Sequence, residues 1–166
     1  MMIRLSKAAL VASSALFLLL VVFNNLTDYG SNFEFVRHVL GMDTTFPGNK
    51  GMWRALTSPL IHHAFYASII LWELISGVLL AAGAWNLWQA RSAPAAVWQH
   101  AKSLAIAGLV LNMLLWFLAF LTIGGEWFLM WQSGTWNGQN AAFRMFAVLG
   151  LILLFLNQRD DALAAE

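Results

Sequence analysis

Apolar residues run almost without interruption over positions 8–23, 65–88, 102–123 and 141–156, and three polar breaks separate the runs. A helix needs about 20 such residues to cross ~30 Å of hydrocarbon, so the pattern predicts four crossings. Allowing for their ends, the helices fall roughly at 5–24, 61–88, 101–123 and 140–157. The expected fold is one all-α membrane domain, an antiparallel bundle of four transmembrane helices. Its outer cap is made by the first and third connections, 25–60 and 124–139.

The breaks differ in character. The inner connection, 89–101, is a plain linker with Arg91, Ser92 and Pro94. The first outer connection is too long and too apolar for a bare loop. Within it, 32–41 opens on a capping-type Asn32, lines up Phe33, Val36 and Leu40, and closes at Gly41, which predicts a short interfacial helix. A turn is expected at 43–49, a second helical turn at 52–56, and Pro59 at the start of the second crossing.

Composition agrees: 60% of residues are hydrophobic, 10% are charged and the mean hydropathy is +0.68, outside the range of a soluble domain. A net charge of +1 leaves no basic footprint for nucleic acid. With no cysteine, disulfides, thiolate metal sites and acylated anchors are excluded, and stability rests on helix packing. Arg4 and Lys7 precede the first run as in a secretory signal, but small residues at alternating positions do not follow Phe23, so a retained first helix is expected. Basic residues set orientation. With both termini in the cytoplasm, Arg4, Lys7, Arg91, Lys102 and Arg159 lie inside, while Arg37, Lys50, Arg54 and Arg144 lie outside.

Polar residues inside the runs are the candidates for chemistry. Glu73 sits mid-helix in the second crossing and cannot face lipid while ionised; Asn112 falls at a similar depth in the third, so a Glu73–Asn112 hydrogen bond is expected. Arg144 lies about one turn into the fourth helix, where it can snorkel outward or pair with Glu126 across the second outer loop. His38, His62 and His63 with Met42, Met52 or Met130 would be the ingredients of a copper site, but they lack regular spacing, and no facing pair of histidines suits haem. No cofactor or metal is therefore expected, and the histidines are read as partners of backbone carbonyls. Of the 9 Trp, Trp85, Trp88 and Trp98 are expected at the inner interface and Trp127, Trp131 and Trp136 at the outer one. Trp72 and Trp116, inside helices, need partners for their N–H groups. Small residues at Ala8/Ala12, Gly77/Ala81 and Ala101/Ala105 would permit close helix approach.

No phosphate loop, zinc helix motif or nucleophile triad is present, so an enzyme is not expected. The run from Asn24 through Tyr29 to Asn32, the run Val36-Arg37-His38-Val39-Leu40 with Met42-Asp43-Thr44-Thr45-Phe46, and the run from Gly124-Gly125-Glu126-Trp127 through Trp131 to Trp136-Asn137-Gly138-Gln139 resemble the bacterial family of predicted small integral membrane proteins called domain of unknown function 2165. The resemblance covers nearly the whole chain. It implies a four-span protein of the bacterial inner membrane and no particular activity. The expected role is a non-enzymatic accessory or interaction protein that sits in the lipid bilayer and docks a protein partner through its cap. Asp28, Tyr29, His38, Asp43, Trp127, Trp131, Trp136 and Asn137 are the candidate contacts. The alternative is a small oligomeric transporter or channel built on Glu73 and Asn112, and a further one is a haem- or copper-binding membrane protein.

Overall fold

A computed structural model of the chain describes residues 1–160. The chain forms α1 (Met2–Thr27), α2 (Tyr29–Gly41), α3 (Pro59–Ala90), α4 (Ala95–Ala101), α5 (Ser103–Leu114) with a π-helical continuation (Leu115–Trp127), and α6 (Gln139–Asn157), with no strand among the described residues. Four helical segments are long and apolar enough to cross a membrane: Met2–Thr27, Pro59–Ala90, Ala95–Trp127 and Gln139–Asn157. At 1.5 Å per residue the 32 residues of α3 reach about 48 Å, more than the hydrocarbon thickness, so its ends enter the headgroup region. The side carrying the first and third connections is called here the cap end, and the opposite side the terminal end.

Sequence reading and structure differ most in two elements. The interfacial helix begins at Tyr29, three residues before Asn32, because α1 breaks only at Asp28 and the chain re-enters a helix immediately. The third crossing is not a uniform α-helix. Past Leu115 its backbone hydrogen bonds pass to the i→i+5 pattern, which the Phe128 N–H bond to the Ile123 carbonyl at 2.9 Å continues. On that segment the Trp116 and Phe120 rings lie against each other, with centroids 4.8 Å apart. Single π-helical turns are the usual form, often at functional sites. Pro59 occupies the first turn of α3, as its missing N–H favours.

One seam organises the bundle. α1 buries Lys7, Val11, Ser14, Leu18, Val22 and Asn25, and α3 buries Tyr66, Ile70, Glu73, Gly77, Leu80, Gly83, Leu87 and Ala90, spaced three or four apart as in a coiled coil. Against α5 the approach is closest at two glycines. A Cβ on Gly83 would stand 2.5 Å from the Ala105 backbone nitrogen, and one on Gly108 would stand 2.8 Å from Leu80 Cγ. Small residues let the backbones meet where no hydrophobic force drives helices together. The contact glycines are Gly77, which packs on Leu18 and Leu19, with Gly83 and Gly108; Ala12 and Ala81, from the expected small pairs, are exposed.

At the cap end, α2 lies across the other helices. Tyr29 and Phe33 stack on His63 at the start of α3, Tyr29 meets Tyr66 edge-on, and Phe35 reaches Phe120 on the π-helix. The third connection packs against α2 and the loop after it. Thr44 Oγ donates to Ser133 Oγ at 2.8 Å, the Phe46 N–H donates to Gln132 Oε1 at 3.0 Å, and the His38 ring lies on Trp136 at 4.5 Å. Val36, Val39, Leu40, Met42, Phe128 and Met130 close a second core under this layer.

Candidate functional site

Glu73 is 3% exposed and faces inward on α3. Its partner is not the residue expected from depth alone. Asn25, on the last turn of α1, donates its Nδ2 to Glu73 Oε2 at 2.8 Å and accepts from Asn32 Nδ2 through its own Oδ1 at 2.7 Å. The Tyr66 hydroxyl approaches the Asn25 carbonyl at 3.5 Å. Asn112 is fully buried, yet neither polar atom of its side chain finds a partner, so the expected Glu73–Asn112 bond does not form. The reason is rotational. Depth is set by counting residues, whereas the face turned toward Glu73 at the cap end belongs to α1, which packs all along α3. The indole of Trp72 satisfies itself on the Leu111 carbonyl at 2.8 Å, while Trp116 Nε1 is buried without a partner.

Beneath α2, Glu73, Asn25, Asn32, Tyr66, Phe35, Phe120 and Trp116 line a cavity of about 240 Å³ that is open on one side. A neighbouring cavity of about 160 Å³ lies between α2, α3 and the π-helix and shares Phe35, Val36, Ile69 and Phe120 with it. The Glu73 carboxyl and the Asn25 and Asn32 amides share the lining of the larger cavity with aromatic rings and with aliphatic side chains such as Val21 and Ile69.

The candidate cap residues do not converge on one point. His38 Nδ1 meets Asp43 at 2.8 Å, and Trp136 is held between His38 and Phe35. The neighbouring Glu34 carboxyl is held below the usual range by its hydrogen bond from Arg37. Tyr29 shares a hydrogen bond with His63 Nδ1 at 2.8 Å, on the other side of α2. Asp28 accepts from Ser31, and Asn137 accepts from the Gln139 N–H where α6 begins, so both serve turns. Trp127 and Trp131 are outward, each edge-on to a ring of the first connection: Trp53 at 5.8 Å and Phe46 at 5.7 Å. His62 bonds the Leu56 carbonyl at 2.7 Å as expected, whereas His38 and His63 bond side chains, those of Asp43 and Tyr29, instead of carbonyls.

Glu126 and Arg144 are both exposed, and among the described residues no ion pair joins them. The expected pin across the second outer loop is absent because the Thr44–Ser133 and Phe46–Gln132 bonds hold that loop from the other connection.

Sequence reading missed a buried charge cluster at the terminal end. Lys7 and Lys102, each 1% exposed, both donate to Asp160 at 2.8 Å and to the Gln158 carbonyl at 2.9 Å. Trp98 Nε1 is a third donor to Asp160, at 2.7 Å, so Trp98 is core and not an interfacial anchor. Arg4 lies over the Trp98 ring and donates to the Ala93 carbonyl at 2.6 Å. Burial works against the Asp160 carboxylate, but the bonds from Lys102, Lys7 and Trp98 outweigh it and hold its pKa down at about 2. In sequence these lysines served only to orient the chain. The three-four spacing of Arg4, Lys7, Val11, Ser14, Leu18, Val22 and Asn25 along one face of α1 was the signal that could have marked Lys7 and Asn25 as buried.

Comparison with known proteins narrows the identity to a family. No curated protein and no solved structure matches the chain. A family model described as predicted small integral membrane protein, domain of unknown function 2165, matches residues 3–159, and the chain belongs to that family.

Proposed function

We propose that the protein is a non-enzymatic accessory subunit of the bacterial inner membrane that docks a protein partner through a periplasmic cap. The observation that carries this reading is a pair of outward aromatic couples. Phe46 with Trp131 and Trp53 with Trp127 each join one ring from the first connection to one from the third. The rings are well exposed, Trp53 at 76%, Phe46 at 55%, Trp127 at 49% and Trp131 at 44%. Arg54 stands over both Trp53 and Trp127 at 5.8 and 5.5 Å, which adds a cation to the patch. Trp and Arg dominate protein interfaces, Trp because its rigid ring buries much area at little entropic cost and Arg because its planar guanidinium stacks and hydrogen-bonds at once. The layer beneath is tied to the bundle, so the patch is presented in one geometry.

A conducting role has less support. Below Glu73 the seam narrows on Leu18, Leu80, Leu87 and Leu109, all fully buried, and the buried Ser14 and Ser76 hydroxyls bond carbonyls of their own helices. The test is purification from native membranes in mild detergent, comparing the parent chain with the Trp53→Ala/Trp131→Ala double variant. A co-purifying protein that is lost from the variant supports docking. The same proteins recovered with both chains would reject the patch as the interface, and a proton or ion flux in proteoliposomes that Glu73→Gln abolishes would favour the conduit.

A further inference from the structure

The buried cluster at the terminal end is built around a carboxylate that reaches it from outside the helices. Gln158 and Asp160 follow Asn157, the last residue of α6, and among the described residues their hydrogen bonds all come from Lys7, Lys102 and Trp98. Gln158 and Arg159 are exposed, so this short strap reaches inward only through the Asp160 side chain and one carbonyl. The three donors are fixed by contrast. Lys7 is on α1, Trp98 on α4 and Lys102 at the junction of α4 and α5, and none is more than 1% exposed.

Two features of the cluster indicate what else it can hold. Lys7 Nζ, Lys102 Nζ and Trp98 Nε1 meet three acceptor oxygens, both of Asp160 and the Gln158 carbonyl, at 2.7–2.9 Å. A phosphomonoester presents three such oxygens on a single atom. The second feature is charge. Two ammonium groups share one carboxylate, and among the described residues no other anion pairs with them, so one positive charge is left over. A buried charge without a counter-ion is costly. A phosphomonoester carries about −1.5 to −2 at neutral pH and cancels both ammonium groups, where the carboxylate cancels one.

Depth indicates the source. Lys7 is five residues past Met2 and Lys102 seven past Ala95, so they stand about 8 and 11 Å inside the ends of their crossings. Those crossings, of 26 and 33 residues, measure about 39 and 50 Å and overshoot ~30 Å of hydrocarbon. Both ammonium groups therefore lie near the boundary between hydrocarbon and headgroups. Lysines at that depth turn toward lipid headgroups, and basic pockets between crossings bind anionic ones. Here Asp160 stands where a lipid phosphate would.

We propose that Lys7, Lys102 and Trp98 form a binding site for a phosphomonoester, the head of an anionic lipid in the leaflet at the terminal end, and that the 158–160 strap is the internal occupant it displaces. Binding is an exchange. The carboxylate and the Gln158 carbonyl leave for water as the three phosphate oxygens enter, so no donor loses its acceptor. A phosphodiester head, with one charge and two free oxygens, gains nothing over Asp160 and does not exchange. The site lies at the opposite end from the aromatic patch and is independent of the docking reading.

The test offers the full chain, in mild detergent, equal amounts of phosphatidic acid and phosphatidylglycerol with the same acyl chains, and counts retained lipids by native mass spectrometry. The unaltered protein should keep one phosphatidic acid about ten-fold over phosphatidylglycerol, the worth of roughly one charge-assisted hydrogen bond. Lys102→Gln should bring the two lipids to parity. Arg91→Gln, which removes a cation of the same end that bonds only the Trp88 carbonyl, should keep the preference. Because the chain has no cysteine, a nitroxide on Arg159→Cys reports the strap alone. Its spectrum should be immobilised in phosphatidylcholine nanodiscs and become mobile with phosphatidic acid, but not with phosphatidylglycerol at equal surface charge. Inorganic phosphate that also frees the strap in phosphatidylcholine discs would keep the phosphate site and assign its ligand to water. Equal retention of the two lipids by the unaltered protein, release of the strap by phosphatidylglycerol, or a strap still immobilised with phosphatidic acid bound would each overturn the proposal. The lipid count needs no variant, so it decides the matter even if Lys102→Gln fails to fold.

Discussion

The side-chain amide of Asn25 donates to Glu73 at 2.8 Å while its oxygen accepts from Asn32 at 2.7 Å, so one residue at the end of α1 ties α3 to α2. Asn112 stands in contrast: it is buried just as fully, with both polar atoms unpaired. Asn25→Leu should therefore destabilise the protein by about 1–2 kcal/mol, because it strands a buried carboxyl group. Asn112→Leu should be neutral or stabilising, because it removes groups that burial already penalises. Thermal unfolding in a mild detergent would measure both. A larger loss for Asn112→Leu would mean that its amide has a partner the packing does not reveal.

The Asp160 cluster makes stability depend on acidity. The Asp160 pKa lies at about 2, below the ordinary carboxylate value of 3.8. A depressed carboxylate stabilises the folded state fully above the ordinary value and loses that contribution as pH falls through the depressed one. Unfolding midpoints should accordingly be flat above about pH 4 in this respect and drop between about pH 4 and 2. Asp160→Asn should remove this acid-sensitive component and cost about 3 kcal/mol at neutral pH, since two buried lysines would lose their shared anion. An acid profile identical in wild type and Asp160→Asn would show that the cluster does not hold the terminal end.

Glu126 and Arg144 are exposed and unpaired with each other, so their energetic coupling should be near zero. A double-mutant cycle with Glu126→Ala and Arg144→Ala should give an interaction energy within about 0.5 kcal/mol of zero. Coupling above about 1 kcal/mol would restore the pairing read from the sequence.

Both termini are predicted to lie in the cytoplasm, with the aromatic cap in the periplasm. Fusions of alkaline phosphatase and a fluorescent protein after Glu166, beyond the described residues, should show fluorescence and no phosphatase activity. Phosphatase activity there would invert the topology and place the Trp53–Trp127 patch in the cytoplasm.

The close approach at Gly83 gives a further expectation. With the Ala105 backbone 2.5 Å from where a Cβ would lie, Gly83→Leu has no flexible neighbour to displace and must push α3 from α5. It should destabilise the bundle by more than about 2 kcal/mol, whereas Gly30→Ala, with nothing within 4 Å, should leave packing unchanged.

Four apolar runs, the long first connection with its short helix, and the family membership were legible in the chain, because crossing length, turn chemistry and motif order are local properties. The inward faces were not legible by hydrophobicity. In a soluble bundle polar residues mark the outer side of a helix, but here lipid and core are equally apolar, and Leu71, exposed, reads the same as Leu80, fully buried. Only the three-four spacing of polar and small residues carried the information. Partner choice was set by rotation: Glu73 and Asn112 share a depth but not a facing direction, and α1 offers Asn25 instead. Lys7 and Lys102 lie 95 positions apart and gain a common partner only when the chain after α6 brings Asp160 between them. Crossings follow from length and apolarity along the chain, whereas pairs of buried polar groups exist only once helices are rotated against one another, and that rotation is a property of the packed bundle.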